Sequence, residues 1–244
     1  MEFQGRTVIV TGAARGLGRD YARFFAADGA NVVLADVKGT EQAVEEASAG
    51  GARCVGVEAD VTDRESVVAL MGRAQSEFGR LDVLINNAGL WRGLGDTGLL
   101  RCPDELWDSA WAVNVTGTLR CYQAAVPLME ANGYGRIINI SSMASRSGGS
   151  PYGLTKNAVE HMTMGMAREV GEKGITVNCI APGISAFEAA NSAIPNADLV
   201  VAGNAVKRLG TSRDLYGAMV WLCSPAAEWV TGQVVRVDGG AGIS

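Results

Sequence analysis

The sequence lacks the features of several classes of protein. It has no run of lysine and arginine, and its 244 residues include 21 basic and 26 acidic side chains, a formal net charge of −5. A surface of this sign repels nucleic acids and anionic membranes, so neither is an expected partner. No apolar stretch approaches the roughly 20 residues that cross a bilayer. The first five residues do not resemble a secretory signal.

Residues that bind metals or form disulfides are also scarce. The five cysteines are widely and irregularly spaced without a Cys-x-x-Cys pair, and His161 is the only histidine. This set predicts neither a zinc site nor a disulfide framework, and we expect no bound metal. Free thiols suit a reducing compartment, so the expected location is cytoplasmic.

What the sequence does contain is a regular alternation of short apolar runs and helix-length amphipathic segments. The runs lack period-two alternation, which is typical of parallel strands covered on both faces. The predicted strands are Thr7–Thr11, Asn31–Ala35, Arg53–Val57, Asp82–Asn86, Arg136–Ser141, Thr176–Ala181 and Val234–Val237. The predicted helices are Leu17–Asp28, Glu41–Ala49, Arg64–Phe78, Glu105–Ala131, Tyr152–Gly171 and Ser212–Ser224.

This alternation predicts one domain over residues 1–244 with an α/β fold. We expect a Rossmann-like, doubly wound parallel sheet of about seven strands with helices on both faces. Ligands bind such sheets at the carboxyl ends of the strands. The segment from residue 184 to about 208 is too long for an ordinary connection, and we interpret it as a substrate lid.

The loop after the first strand has the spacing of a dinucleotide-binding turn. Gly12, Gly16 and Gly18, with Arg15 and Leu17 among them, lie between a strand and a helix. Glycines let the backbone approach a pyrophosphate closely, and a helix N-terminus supplies N–H donors. The loop therefore predicts a dinucleotide cofactor.

Two residues bear on which dinucleotide binds. Asp36 ends the second strand, where a carboxylate accepts the ribose hydroxyls of NAD and repels the 2′-phosphate of NADP. Arg15 favours the opposite choice, because a cation in the loop can pair with that phosphate. We predict NAD, with NADP as the alternative, because Arg15 can instead turn to solvent or to the pyrophosphate.

Further cofactor contacts are predicted where the third and fourth strands end. Asp60 and Val61 would bracket the adenine, with the carboxylate accepting from its amino group. Asn87, Ala88 and Gly89 follow the fourth strand, and their small size allows close packing against the cofactor.

Candidate chemical groups follow the fifth strand. Tyr152 and Lys156 lie one helical turn apart on the same face, after the pair Ser141-Ser142. Tyrosine alone is a poor acid–base group at neutral pH, but a neighbouring ammonium favours the phenolate.

Seven motifs in this order resemble the short-chain dehydrogenase/reductase family over essentially the whole chain. They are Thr11-Gly-x-x-x-Gly16-x-Gly18, Asn86-Asn-Ala-Gly89, Asn114, Ser142, Tyr152-x-x-x-Lys156, Pro182-Gly183 and Val237-Asp238-Gly239-Gly240.

The resemblance implies an oxidoreductase that transfers a hydride between the cofactor and a secondary alcohol or ketone. Tyr152 would be the general acid or base, and Ser142 would hydrogen-bond the substrate oxygen. Lys156 would bind the nicotinamide ribose, and Asn114 would hold a water that relays protons. Between the two neighbouring serines, Ser142 is preferred over Ser141 because the family's serine is the second of the pair.

The nicotinamide end departs from the family pattern. Pro182, Gly183, Ile184 and Ser185 would contact the nicotinamide, but a threonine that relatives carry a few residues later is absent. Ser185 or the Ile184 backbone is the expected replacement.

The substrate side also departs from the pattern, because the segment between Ser142 and Tyr152 is shorter than is usual. We therefore expect a more open pocket, with Trp91 and Phe187 as further substrate contacts.

Alternatives to this function stay open. A reductase of 3-ketoacyl thioesters belongs to the same family, and a non-catalytic dinucleotide-binding module could use the same scaffold. The resemblance also implies a homotetramer or homodimer.

Overall fold

Seven strands form one parallel sheet in the computed structural model, which describes residues 2–94, 97–146, 149–184 and 197–241. Their order is β3-β2-β1-β4-β5-β6-β7, and every neighbouring pair is parallel. The strands are β1 (Thr7–Thr11), β2 (Asn31–Asp36), β3 (Cys54–Glu58), β4 (Val83–Asn86), β5 (Gly135–Ile140), β6 (Ile175–Pro182) and β7 (Val234–Val237). The predicted α/β fold is confirmed, and each strand lies within two residues of its predicted bounds.

Each face of the sheet has its own hydrophobic core. Successive residues of a strand point to opposite faces, so Val8 and Val10 of β1 join one core and Ile9 joins the other. Because both faces of the central strands β1, β4, β5 and β6 are buried, these strands carry mostly apolar runs instead of alternating ones.

Helices cover both faces. They are α1 (Gly16–Ala27), α2 (Glu41–Ser48), α3 (Arg64–Phe78), α4 (Asp104–Trp111), α5 (Thr118–Ala131), α6 (Pro151–Val170), α7 (Ala197–Gly203) and α8 (Ser212–Cys223). Buried side chains of α1, α2 and α8 belong to the first core, and those of α3, α5 and α6 belong to the second.

One predicted helix differs from the structure. The segment Glu105–Ala131 was expected to be a single α-helix, but a π-helical stretch, Ala112–Gly117, separates α4 from α5. A π-helical turn holds an extra residue, and such turns are frequent at functional sites. The apolar periodicity of the sequence does not reveal it, because the helix continues on both sides.

The strand order reverses between β1 and β4. Connections from β1 lead outward to β2 and β3, whereas those from β4 lead the other way to β5, β6 and β7. Helices therefore leave the sheet in opposite directions at this point and open a crevice at its carboxyl edge.

Parts of the predicted lid fall outside the described residues, including Ser185 and Phe187. The later part contains α7. Within the described ranges, no helix is both long and apolar enough to span a bilayer. No group of His, Cys, Asp and Glu in those ranges is arranged to hold a metal ion.

Candidate active site

A cavity of about 530 Å³ occupies the crevice at the carboxyl edge of the sheet. Most of the predicted cofactor residues and the predicted chemical groups line this one space. They are Gly12, Arg15, Gly16, Leu17, Gly18, Asp36, Asp60, Val61, Asn87, Ala88, Gly89, Trp91, Ser142, Tyr152, Lys156 and Pro182.

The glycine loop is packed too closely for side chains. Gly12 has a φ of +65°, and a Cβ there would lie 2.9 Å from the Ala88 Cα. A Cβ on Gly18 would collide with the Gly12 carbonyl oxygen. The loop thus presents bare backbone at the start of α1, which fits the close approach of a pyrophosphate.

A side chain that was not predicted as a site residue joins the loops after β1 and β4. The Thr11 hydroxyl accepts hydrogen bonds from Asn87 N at 3.1 Å and Ala88 N at 3.0 Å. In return, Asn87 Nδ2 donates to the carbonyls of Thr11 and Gly12 at 2.9 and 3.1 Å. Thr11 and Asn87 therefore fix the two walls of the crevice to each other.

The Asp36 carboxylate is held at the rim of the cavity by backbone amides. Its Oδ2 accepts from Ala14 N at 2.9 Å, and its Oδ1 accepts from Val37 N at 2.8 Å. Each carboxylate oxygen has a second lone pair, so two further donors can bind. The geometry fits a ribose diol beside the glycine loop.

Asp60 and Val61, which are predicted to bracket the adenine, both line the cavity. The Oδ1 atom of Asp60 already accepts from Thr62 N at 2.8 Å and from Thr62 Oγ1 at 2.7 Å. Val61 is buried and offers an apolar wall.

Tyr152 and Lys156 also line the cavity. The Lys156 side chain is 4% exposed, and its Nζ donates to the Ile140 carbonyl at 2.8 Å. The same Nζ lies 5.7 Å from the centroid of the Tyr152 ring. The ammonium is therefore anchored at a fixed distance from the phenol.

The structure separates the roles of the two neighbouring serines. Both serines border the cavity, but the Ser141 hydroxyl is buried and donates to Glu160 Oε1 at 2.8 Å. Ser142 is half-buried, lines the cavity and accepts from Ala144 N at 3.2 Å. This arrangement supports the preference for Ser142.

Asn114 lies in the π-helical stretch and is almost fully buried. Its Oδ1 accepts from Leu90 N at 2.7 Å, and its Nδ2 donates to Leu90 O and Thr155 Oγ1, both at 2.9 Å. The side chain thus fixes the backbone that leads into Trp91. Its predicted part in holding a water stays a prediction.

Two predicted nicotinamide contacts line a different space. Gly183 and Ile184 border a second cavity of about 260 Å³, beside the ends of β6 and β7. Arg208 also lines it, but both of its terminal nitrogens, Nη1 and Nη2, donate to the Asp214 carboxylate at 2.7 Å. Trp91 lines the larger cavity and is 40% exposed, as a substrate contact at an open mouth requires.

A buried thiol near the site is chemically quiet. Burial raises the pKa of Cys179 to about 12, and the charge of Glu160 adds to the shift. Since the thiolate is the reactive form, Cys179 is a packing residue.

The comparison with known families agrees with this geometry. Residues 12–242 match a family model described as enoyl-(acyl carrier protein) reductase. A 7alpha-hydroxysteroid dehydrogenase of Escherichia coli K12 is 35% identical, with 98% of this chain and 95% of that protein covered. The chain belongs to the short-chain dehydrogenase/reductase family. It is therefore an oxidoreductase with alcohol/ketone redox activity that uses a nicotinamide dinucleotide, as the motifs predicted.

Other members of the family are similar over their whole length. A 3-oxoacyl-(acyl carrier protein) reductase of Staphylococcus aureus is 35% identical, covering 96% of this chain and 97% of that protein. The crystal structure of a provisionally assigned short-chain alcohol dehydrogenase from Sinorhizobium meliloti superimposes with a TM-score of 0.93 at 31% identity. That match covers 100% of this chain and 98% of the other.

Proposed function

We propose that this short-chain dehydrogenase/reductase moves a hydride between NAD and a secondary alcohol or its ketone, with Tyr152 as the general acid or base. The observation that carries the proposal is that Ser142, Tyr152 and Lys156 line the same cavity as the glycine loop and Asp36. A proton-transfer group and a dinucleotide cradle thus share one space.

The dinucleotide supplies the hydride acceptor or donor when it is bound. Gly12, Gly16 and Gly18 would hold its pyrophosphate, Asp36 its adenosine ribose, and Lys156 its nicotinamide ribose. These groups fit the dinucleotide because they combine bare backbone at a helix N-terminus with a carboxylate and an ammonium.

The remaining residues act on the substrate oxygen. In the oxidative direction, the Tyr152 oxygen takes the proton of the substrate hydroxyl, and the Lys156 charge favours the phenolate that can accept it. The Ser142 hydroxyl donates to the substrate oxygen and stabilises the charge that develops there. Reduction uses the same groups in reverse.

Two observations support NAD over NADP. Asp36 is fixed by two backbone amides and cannot easily turn away from a 2′-phosphate, whereas Arg15 is exposed. Cellular NAD is mostly oxidised, so the preference favours alcohol oxidation as the physiological direction.

The test is a screen for NAD⁺ reduction over bulky cyclic, aromatic and sugar-like secondary alcohols, repeated with Tyr152→Phe. We expect the substitution to lower kcat by about 10²- to 10⁴-fold, the usual contribution of a general acid or base. Tyr122→Phe is the matched control, because that hydroxyl bonds Glu169 outside the cavity. If Tyr152→Phe keeps the wild-type rate, the assignment of Tyr152 is wrong.

A second candidate substrate is a 3-ketoacyl thioester, favoured by the 35% identity to the Staphylococcus aureus reductase. Turnover of acetoacetyl-coenzyme A and of simple ketones with NADH and with NADPH separates the two. An enoyl thioester belongs in the same series because of the matching family model.

The proposal includes a homotetramer or homodimer. Trp229 is 96% exposed and Trp221 is 44% exposed, which is unusual for side chains of this size. Leu222, in contrast, is part of the core. Sedimentation that shows a monomer would contradict this part.

The proposal also includes a cytoplasmic location. Five free cysteines suit a reducing compartment, and fractionation of cells tests this part.

A further inference from the structure

A buried carboxylate lies behind the site and has no part in the chemistry proposed above. Glu160 is on α6, one turn beyond Lys156, and it is 9% exposed. Its Oε1 accepts from Ser141 Oγ at 2.8 Å and from Ser145 Oγ at 2.6 Å. A carboxylate loses much of its hydration when it is buried, so these donors and a nearby cation have to replace the water.

The cation is Arg236 on β7. Its Nη2 lies 3.8 Å from Glu160 Oε2, with 22% and 12% of the two side chains exposed. The two carboxylate oxygens thus have separate partners: Oε1 takes the serine hydroxyls and Oε2 faces the guanidinium. This division fixes the rotation of the carboxylate plane.

The two serines bracket the residue that faces the substrate. Ser141 precedes Ser142, and Ser145 closes the turn after it, with Ser145 N donating to the Ser142 carbonyl at 3.1 Å. Within the turn, Ala144 N donates to Ser142 Oγ at 3.2 Å. The orientation of the Ser142 hydroxyl therefore depends on a turn flanked by two serines, Ser141 and Ser145, whose hydroxyls both donate to Glu160 Oε1.

The position of the turn along α6 is also fixed. A Cβ on Gly153 would collide with the Ala144 carbonyl oxygen, so α6 and the turn are in backbone contact at that point. Asn157 Nδ2 donates to the Ser145 carbonyl at 3.4 Å, which adds a third attachment. Tyr152 and Glu160 belong to the same helix, so the turn is held in register with the phenol.

We propose that Glu160 is a positioning residue, which sets the Ser142 hydroxyl at the correct distance from Tyr152 by holding Ser141 and Ser145 together. The inference rests on the proposed function for its consequence in catalysis. It also makes a structural claim about the turn over residues 142–145 that does not depend on any substrate.

The catalytic test is a double-mutant cycle between Glu160→Leu and Ser142→Ala. Leucine has a similar volume but accepts no hydrogen bond. We expect Glu160→Leu to lower kcat about tenfold in the wild-type background and by less than about twofold in the Ser142→Ala background, because coupled residues are not additive. An equal loss in both backgrounds would mean that Glu160 acts on stability alone, and would overturn the proposal.

Two further variants keep the test decisive. Glu160→Gln retains an acceptor for both hydroxyls, so we expect kcat within about threefold of wild type, the cost of a neutral bond replacing a charged one. A Gln variant as impaired as the Leu variant would contradict the proposal. Glu169→Leu is the control, since it removes a solvent-exposed carboxylate of the same helix that bonds Tyr122.

Amide hydrogen exchange tests the structural claim without a substrate. In Glu160→Leu we expect the amides of Ala144 and Ser145 to exchange at least about tenfold faster than in wild type or Glu169→Leu. Unchanged exchange would overturn the inference even if the enzyme is active. If no alcohol is oxidised but exchange increases as expected, the proposed function fails and the positioning role of Glu160 stands.

Discussion

Polar side chains at the amino end of the sheet are buried and bonded within the protein, whereas those at the carboxyl end border a cavity. At the amino end, Asp82 is fully buried and bonds to Arg80 at 2.7 and 2.5 Å and to Thr7 N at 2.8 Å. At the carboxyl end, Asp36 is bound along one edge by two backbone amides and borders a cavity.

The polar groups at the amino end bond to other groups of the protein, whereas those at the carboxyl end keep hydrogen-bonding capacity for a ligand. At the amino end, the guanidinium carbons of Arg6 and Arg136 lie 3.9 and 4.2 Å from the centre of the Tyr134 ring, so cations and ring contact each other. At the carboxyl end, Lys156 and Asp36 are oriented by backbone groups and face the cavity. Substitutions at the first end should lower stability, and those at the second should lower cofactor binding or rate.

The largest expected effect is at the amino end. Asp82→Ala leaves the buried Thr7 amide without its acceptor and removes the bonds to Arg80, whose side chain is 42% exposed, and we expect a loss of about 3 kcal/mol in the free energy of unfolding. Urea denaturation measures it. Activity per folded molecule should remain close to wild type below the transition. If Asp82→Ala lowers the specific activity without lowering the free energy of unfolding, the amino end is not purely stabilising and the contrast with the carboxyl end fails.

An intermediate effect is expected in the glycine loop. Gly18→Ala places a methyl group against the Gly12 carbonyl, and strain of about 1–3 kcal/mol should weaken dinucleotide binding by about 5- to 150-fold. Titration of NADH fluorescence gives the dissociation constant. Gly72→Ala is the matched control, a helical glycine of α3 with nothing within 4 Å of its Cβ position. Equal affinities in the two variants would show that the loop can relax.

The smallest effect sharpens the comparison within the carboxyl end. Asp36→Asn removes the charge that faces a 2′-phosphate, and we expect the ratio of kcat/KM for NAD to that for NADP to fall about tenfold. Glu58→Gln is the control, because Glu58 is the register partner of Asp36 on β3 but does not line the cavity. An equal fall of this ratio in both variants would mean that the electrostatic field of the whole sheet edge, and not Asp36 itself, sets the preference for NAD.

Most of the fold could be predicted because burial on both faces leaves a plain pattern. Strand β1 is apolar at the consecutive positions 8, 9 and 10, a pattern typical of strands with both faces covered, and turn residues follow it. The glycine loop and the Tyr152–Lys156 pair were predictable for a similar reason. The function proposed for them needs fixed residue types at fixed local spacing, so the signal lies within a few residues.

The unpredicted features depend on contacts between distant segments. Glu160 lies within α6 and looks in the sequence like any other charged helical residue, and nothing local shows that Ser141, Ser145 and Arg236 surround it. Thr11 was visible only as part of a motif, because its partners are Asn87 and Ala88. The predicted Ile184 contact lies at a second cavity whose other walls come from residues beyond position 203.

The π-helical stretch has a consequence for how this chain can change in length. Helix α4 packs against α6, whereas α5 packs against α3, so the two halves have different neighbours. Deletion of one residue between positions 112 and 117 would turn α5 by about 100° and draw it back by about 1.5 Å. Cys121, Ala125 and Met129 would then leave the core that they now fill. A conservative substitution at Val113 would leave that phase intact, so the number of residues in this stretch is constrained by the packing of α5 even where the residue type is not.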